Sequence, residues 1–221
     1  MEVKSYYEKY WSHKRKYEGY WDYERNWVLP YLFTKKERIL DLGCGDGIVA
    51  EFLQNDLKME VVGFDVSEKA VNEAKKRGIK VVIGDVEKKL PFKDSEFDSV
   101  FWGDNVEHLF DPQFTLKEIN RILVKNGRVI LSCPNLGYWR YRIHFFLNGS
   151  LPDTEWTGNP PWIWSHIRFF NKKIMSDFLK SKGFIVERFI GINKLFPDKY
   201  LLSLSPSIFG MIMVVEARKN G

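Results

Sequence analysis

The chain has 221 residues, 44% of them hydrophobic, which suits a single globular domain. Basic residues number 34 against 29 acidic ones, a net charge of +5 with the signs interspersed, and this argues against a nucleic-acid partner gripped by a basic stripe. No run approaches the roughly 18 apolar residues that span a bilayer. Residues Met1 to Tyr7 lack a secretory apolar core, and the two cysteines, Cys44 and Cys133, offer neither a disulfide framework nor a metal site. A cytoplasmic protein with no membrane contact and no metal is expected.

In chain order, Tyr10, Tyr17, Tyr20, Trp21 and Trp27 recur at roughly helical spacing, so residues 1–34 read as one or two amphipathic helices. They either pack on the domain or form a lid over its site. Lys14-Arg15-Lys16 reads as a solvated helix face. The domain proper is expected over 35–221. From Arg38 to Ser132, short apolar runs alternate with amphipathic stretches, the mark of βαβ units and a parallel sheet. The predicted strands are Arg38 to Leu42, Val61 to Asp65, Lys80 to Gly84, Phe97 to Trp102 and Arg128 to Ser132. Ser67 is placed to cap the helix after the second strand, and a helix from about Pro112 to Val124 precedes the fifth. The aromatic and proline-rich stretch 134–170 reads as an insertion over the sheet's carboxyl edge. A helix near Lys172 to Ser181 follows, then strands six, Phe184 to Ile190, and seven, Met211 to Ala217.

The densest chemical signal is Asp41-Leu42-Gly43-Cys44-Gly45-Asp46-Gly47, between a predicted strand and a predicted helix. Glycines there allow a tight turn and a close approach to a ligand, while the helix start supplies free N–H groups. A dinucleotide fingerprint would need a third glycine at position 48, which is Ile48. Asp65, with Val66, ends the second strand, where a carboxylate can accept both hydroxyls of a ribose. Gly84-Asp85-Val86 ends the third strand, where Asp85 can face an adenine amino group and Val86 its ring. The spacing points to a nucleoside ligand.

These residues, in this order, resemble the class I S-adenosylmethionine-dependent methyltransferases. The resemblance implies a Rossmann-like α/β fold, with a seven-stranded sheet, helices on both faces and strand seven antiparallel. It implies S-adenosyl-L-methionine as cofactor, with its methionine part on the glycine loop, its ribose at Asp65 and its adenine facing Asp85. Gly103 and Asn105, after strand four, complete the expected cofactor site. More narrowly, Arg38 to Arg218 is similar to the MetW-type proteins through Cys133-Pro134-Asn135-Leu136-Gly137-Tyr138-Trp139-Arg140 and the stretch Gly149 to Pro152.

His108, in Gly103-Asp104-Asn105-Val106-Glu107-His108, reads either as a general base for a hydroxyl or amine acceptor or as a histidine that hydrogen-bonds its own loop. Asn159-Pro160-Pro161-Trp162 imitates an amino-group methylation motif, but that motif belongs directly after strand four, so the stretch reads as loop packing. Tyr17, Tyr138 and Trp139 are expected to wall an acceptor pocket. The expected function is methyl transfer to a small molecule. The MetW resemblance implies a second reading, a non-catalytic accessory protein that binds the cofactor and partners an acyltransferase of methionine synthesis.

Overall fold

Along β1 (Arg38–Leu42), Leu40 and Leu42 point into one hydrophobic layer while Ile39 points into another, because successive strand residues face opposite sides of a sheet. Both layers are buried, so the strand needs helices on both faces. The computed structural model describes residues 4, 5, 7, 8, 11, 24–155, 158–163, 165–195 and 197–220. The remaining strands are β2 (Glu60–Asp65), β3 (Lys80–Ile83), β4 (Phe97–Gly103), β5 (Leu123–Pro134), β6 (Phe184–Ile192) and β7 (Ile212–Lys219). They form one sheet in the order β3-β2-β1-β4-β5-β7-β6, and β7 runs antiparallel to both of its neighbours.

The helices are α1 (Leu29–Leu32), α2 (Ile48–Asn55), α3 (Glu68–Lys76), α4 (Pro112–Ile122), α5 (Trp139–Asn148), α6 (Lys172–Lys180), α7 (Asp198–Leu201) and α8 (Pro206–Phe209). Side chains cap α3, α4 and α6: Ser67 accepts from Ala70 N–H at 3.3 Å, Asp111 from Phe114 N–H at 3.0 Å and Asn171 from Ile174 N–H at 2.9 Å. Leu116, Ile119 and Ile122 of α4 and Met175 and Leu179 of α6 fill the layer under Leu40, Val100 and Trp102. Ile48, Val49, Ala50 and Leu53 of α2 fill the opposite layer with Ile39, Phe101 and Ile130.

Three parts differ from the sequence expectation. Leu29, Leu32 and Phe33 are buried in the α2 layer, so the end of the 1–34 lead is core rather than lid. The fourth helix stops at Ile122, because Leu123 already pairs with Phe97; a register shift and a left-handed Asn126 (φ 61°) then lead the chain into the rest of β5. Between β6 and β7, where no element was expected, α7 and α8 fold back beside the 134–142 segment.

At the amino edge of the sheet, Arg128 donates to Glu37 at 2.8 Å, to Glu216 at 2.6 Å and to Ser99 at 3.1 Å. Glu216 is 2% exposed and meets a second guanidinium, Arg188, at 3.1 Å. Removing one partner from a buried ionic cluster leaves a desolvated charge behind. Arg128→Met should therefore lower the unfolding free energy by about 3–5 kcal/mol in urea titration, and replacing Glu216 by leucine in the same chain should restore part of the loss.

Candidate functional site

In an open sheet of this kind, ligands bind where the strand order reverses, outside the carboxyl ends of the two central strands. Here those strands are β1 and β4, which pair in parallel through Ile39–Ser99, Leu40–Val100 and Asp41–Phe101. Their exits, 43–47 and 104–108, therefore lie side by side. Asn105 connects them: its amide nitrogen would sit 2.9 Å from a Cβ placed on Gly43, while its carbonyl accepts from Trp102 Nε1 at 2.9 Å.

The glycine loop holds Gly43 and Gly45 at φ 78° and 55°, in the left-handed region that glycine enters without strain. Asp65, 7% exposed at the end of β2, fixes the loop from below. One carboxylate oxygen accepts from Gly45 N–H at 2.9 Å and the other from Ser67 N–H at 2.9 Å. Val66 lies between Asp65 and Ser67 in the chain and is half-buried. Asp41 is buried under the loop, and its charge, with that of Asp65, adds to burial in pushing the Cys44 thiol well above its ordinary pKa. Cys44 is thus a neutral packing thiol, not a nucleophile.

The end of β3 is more structural than its motif implied. A Cβ on Gly84 would fall 2.4 Å from the Phe64 ring, so packing inside the protein already requires glycine there. Val86 joins the core, and its carbonyl accepts from Thr115 at 3.0 Å. Asp85 is partly exposed; it accepts from Glu87 N–H at 2.9 Å and pairs with Lys88 at 3.6 Å.

After β4, Gly103 pairs with Ser132, Asp104 takes a left-handed turn (φ 44°), and Val106–His108 form a 3-10 turn. The Glu107 carbonyl accepts from Ile167 N–H at 2.9 Å and Arg168 N–H at 3.0 Å, which fastens the 134–170 segment beside this exit. His108 Nδ1 lies 3.1 Å from the Ser165 carbonyl, and the two imidazoles of His108 and His166 meet edge to face at 4.7 Å. Burial holds His108 below the usual histidine pKa; burial and the neighbouring His108 push His166 down to about 4. Both rings are neutral at pH 7. Since the Ser165 carbonyl can only accept, His108 Nδ1 carries the proton and Nε2 keeps its lone pair.

The expected aromatic wall needs correction. Tyr138 is 1% exposed, packs against Tyr141 and Met211, and donates its hydroxyl to Asp198. Trp139 Nε1 donates to the same carboxylate at 3.1 Å and Arg140 at 2.9 Å. These side chains hold α7 against the start of α5. Asp198, the buried acid that organises them, was not singled out in the sequence, because nothing local ties it to residues 138–140. Tyr17 lies outside the described residues, as do Tyr10, Tyr20 and Trp21. Trp11 is described, and its indole covers Gly45: a Cβ there would be 2.5 Å from the ring. Nearby, Lys4 pairs with Glu68 at 2.5 Å and Glu8 accepts from Glu68 N–H at 2.6 Å, seating this part of the lead at the start of α3.

A family model described as methionine biosynthesis protein MetW matches residues 26–216. A probable S-adenosylmethionine-dependent methyltransferase of Mycolicibacterium smegmatis is 30% identical over 156 residues, 70% of this chain and 54% of that protein. A ubiquinone biosynthesis O-methyltransferase of Pelagibacter ubique is 31% identical over 105 residues, 46% of this chain and 43% of that one. The chain thus spans about half the length of these curated relatives. Among solved structures, a SAM-dependent methyltransferase from Archaeoglobus fulgidus superposes with TM-score 0.64 at 18% identity, covering 99% of this chain and 100% of that one. One from Thermotoga maritima gives 0.60 at 25% identity over 90% and 95%. With the strand order, the antiparallel β7 and a family match over most of its length, the chain belongs to the MetW family within the class I S-adenosylmethionine-dependent methyltransferase superfamily.

Proposed function

We propose that the protein transfers a methyl group from S-adenosyl-L-methionine to a small-molecule acceptor. The observation that carries this reading is the junction at the sheet reversal, where the glycine loop, fastened by Asp65, lies against Asn105 at the exit of β4. Gly43, Cys44 and Gly45 would hold the methionine part of the cofactor above Asp41, Asp65 and Val66 the ribose, and Asp85 the adenine. Gly84 and Val86 would support that end through packing, and Gly103 with Asn105 would border the methyl side. The cofactor supplies an activated methyl group on a sulfonium. What remains for the chain is to align the acceptor with it and exclude water. His108, which follows Asn105 at the same exit, would act through its Nε2 lone pair as general base for the acceptor. No helix among the described residues is long and apolar enough to cross a membrane.

The MetW match favours one other reading, an accessory protein that binds the cofactor and acts on a protein partner without turnover. Purified protein incubated with S-adenosylmethionine and the small-molecule fraction of a cell extract separates the two. Formation of S-adenosylhomocysteine supports the enzyme, and binding without turnover supports the accessory role. In the enzyme, His108→Ala should leave cofactor affinity intact while lowering methyl transfer by roughly 10²–10⁴-fold. Parallel loss of cofactor binding would make His108 a structural residue.

Asp65→Asn should weaken S-adenosylmethionine binding in calorimetry by on the order of 1–3 kcal/mol, because a charged acceptor for ribose hydroxyls and loop amides is lost. Unchanged affinity in the folded variant would remove Asp65 from the site. The contacts of Trp11, Lys4 and Glu8 also support a gating lead before residue 24. Cofactor should then slow protease cleavage within residues 1–30. Equal cleavage rates with and without it would reduce the lead to packing.

A further inference from the structure

Glu107, His108 and His166 bring one carboxylate oxygen and one nitrogen from each imidazole within 4.8 Å of one another. We propose that this cluster binds a divalent transition metal of the zinc class. The absence of a metal expected from the cysteines does not bear on it, because its donors are imidazoles and a carboxylate.

The donor atoms are held in a form suited to ligation. The Ser165 carbonyl fixes the proton of His108 on Nδ1, leaving Nε2 as the donor. In His166, Nδ1 is engaged at 2.7 Å by the hydroxyl of Thr154, itself 3% exposed, and Nε2 lies 4.0 Å from Glu107 Oε1. Metal-binding histidines have this arrangement: one ring nitrogen ties to an oxygen of the protein, which orients the other toward the ion. The Glu107 side chain is 2% exposed, so the carboxylate is already removed from most of its hydration.

The backbone around the cluster is also braced. Glu107 carbonyl receives Ile167 and Arg168, and Glu155 accepts from Ser165 Oγ at 3.0 Å and His166 N–H at 2.7 Å. Two segments distant in sequence are thereby locked face to face with their ligand atoms converging. A tetrahedral ion with bonds of about 2.1 Å spaces its ligands by about 3.4 Å, so a triangle with edges of up to 4.8 Å must contract by up to about 1.4 Å on binding.

Two imidazoles with one carboxylate suit zinc, cobalt, iron or manganese better than calcium or magnesium, which favour oxygen donors. Three protein ligands leave at least one position open. The cluster follows β4 directly, two residues past Asn105. If the methyltransferase reading holds, and only for this role does the inference rest on it, the open position takes an oxygen or nitrogen of the acceptor and orients it toward the methyl group, and His108 then acts as a ligand of the ion in place of a general base.

The experiment uses the full chain, stripped with a chelator and dialysed. Cobalt titration should give a saturable visible d–d band at one equivalent per chain, reversed by zinc. His166→Ala should weaken cobalt binding by well over tenfold, and Thr154→Val, which removes only the supporting hydroxyl, by about 10–100-fold. Circular dichroism verifies that each variant is folded, and S-adenosylmethionine calorimetry runs in parallel. Absence of a stoichiometric cobalt band, wild-type affinity in His166→Ala, or uptake of magnesium alone overturns the proposal. Cofactor binding without cobalt binding sinks the metal site and leaves the methyltransferase reading standing; cobalt binding without cofactor binding does the reverse.

Discussion

The parallel pairing of β4 with β1 is the constraint on which the site depends. After β3 the chain has reached one edge of the sheet, and β4 must cross back to the free side of β1. Because the two strands are parallel, both leave the sheet at the same edge, and their exits cannot be filled by a crossover helix at that point. The glycine loop and the 104–108 turn meet there, with Asn105 against Gly43. Everything proposed for the cofactor and the acceptor hangs on that junction.

Buried charge is handled differently at the two edges. At the amino edge, Arg128 and Arg188 neutralise Glu216, and Arg128 reaches Glu37 as well, so the carboxylates are spent on ion pairs within the protein. At the carboxyl edge, Asp65 is satisfied by backbone amides of Gly45 and Ser67. Amide donors stabilise a carboxylate without cancelling its charge, which leaves it able to accept from hydroxyls of a ligand. The first arrangement ties carboxylates to charged side chains and the second ties one to backbone amides.

The 134–170 segment illustrates how an irregular stretch is made definite. Tyr138 and Trp139 turn to Asp198 instead of forming an open wall, and the chain returns to pair Leu136 N–H with the Phe170 carbonyl at 2.8 Å. Buried polar groups with fixed partners hold the described parts of this segment in place. The same bracing places His166 against His108.

The sequence by itself determined the layout from β1 to β4 and the glycine loop. Apolar runs of strand length, Ser67 as a cap and three closely spaced glycines are local signals, and each acts within a few residues of itself. Asp65 was legible for the same reason, since its place at a strand end follows from the run before it. Tertiary structure alone decided that Leu29, Leu32 and Phe33 belong to the core, that Gly84 is required by Phe64, that Tyr138 answers to Asp198 and that His166 stands beside Glu107 and His108. Those contacts join residues far apart in the chain, and His166 and Asp198 reach their partners from irregular or very short segments without periodicity. A one-dimensional pattern encodes which face of an element is apolar, not which distant side chain will come to lie across from it.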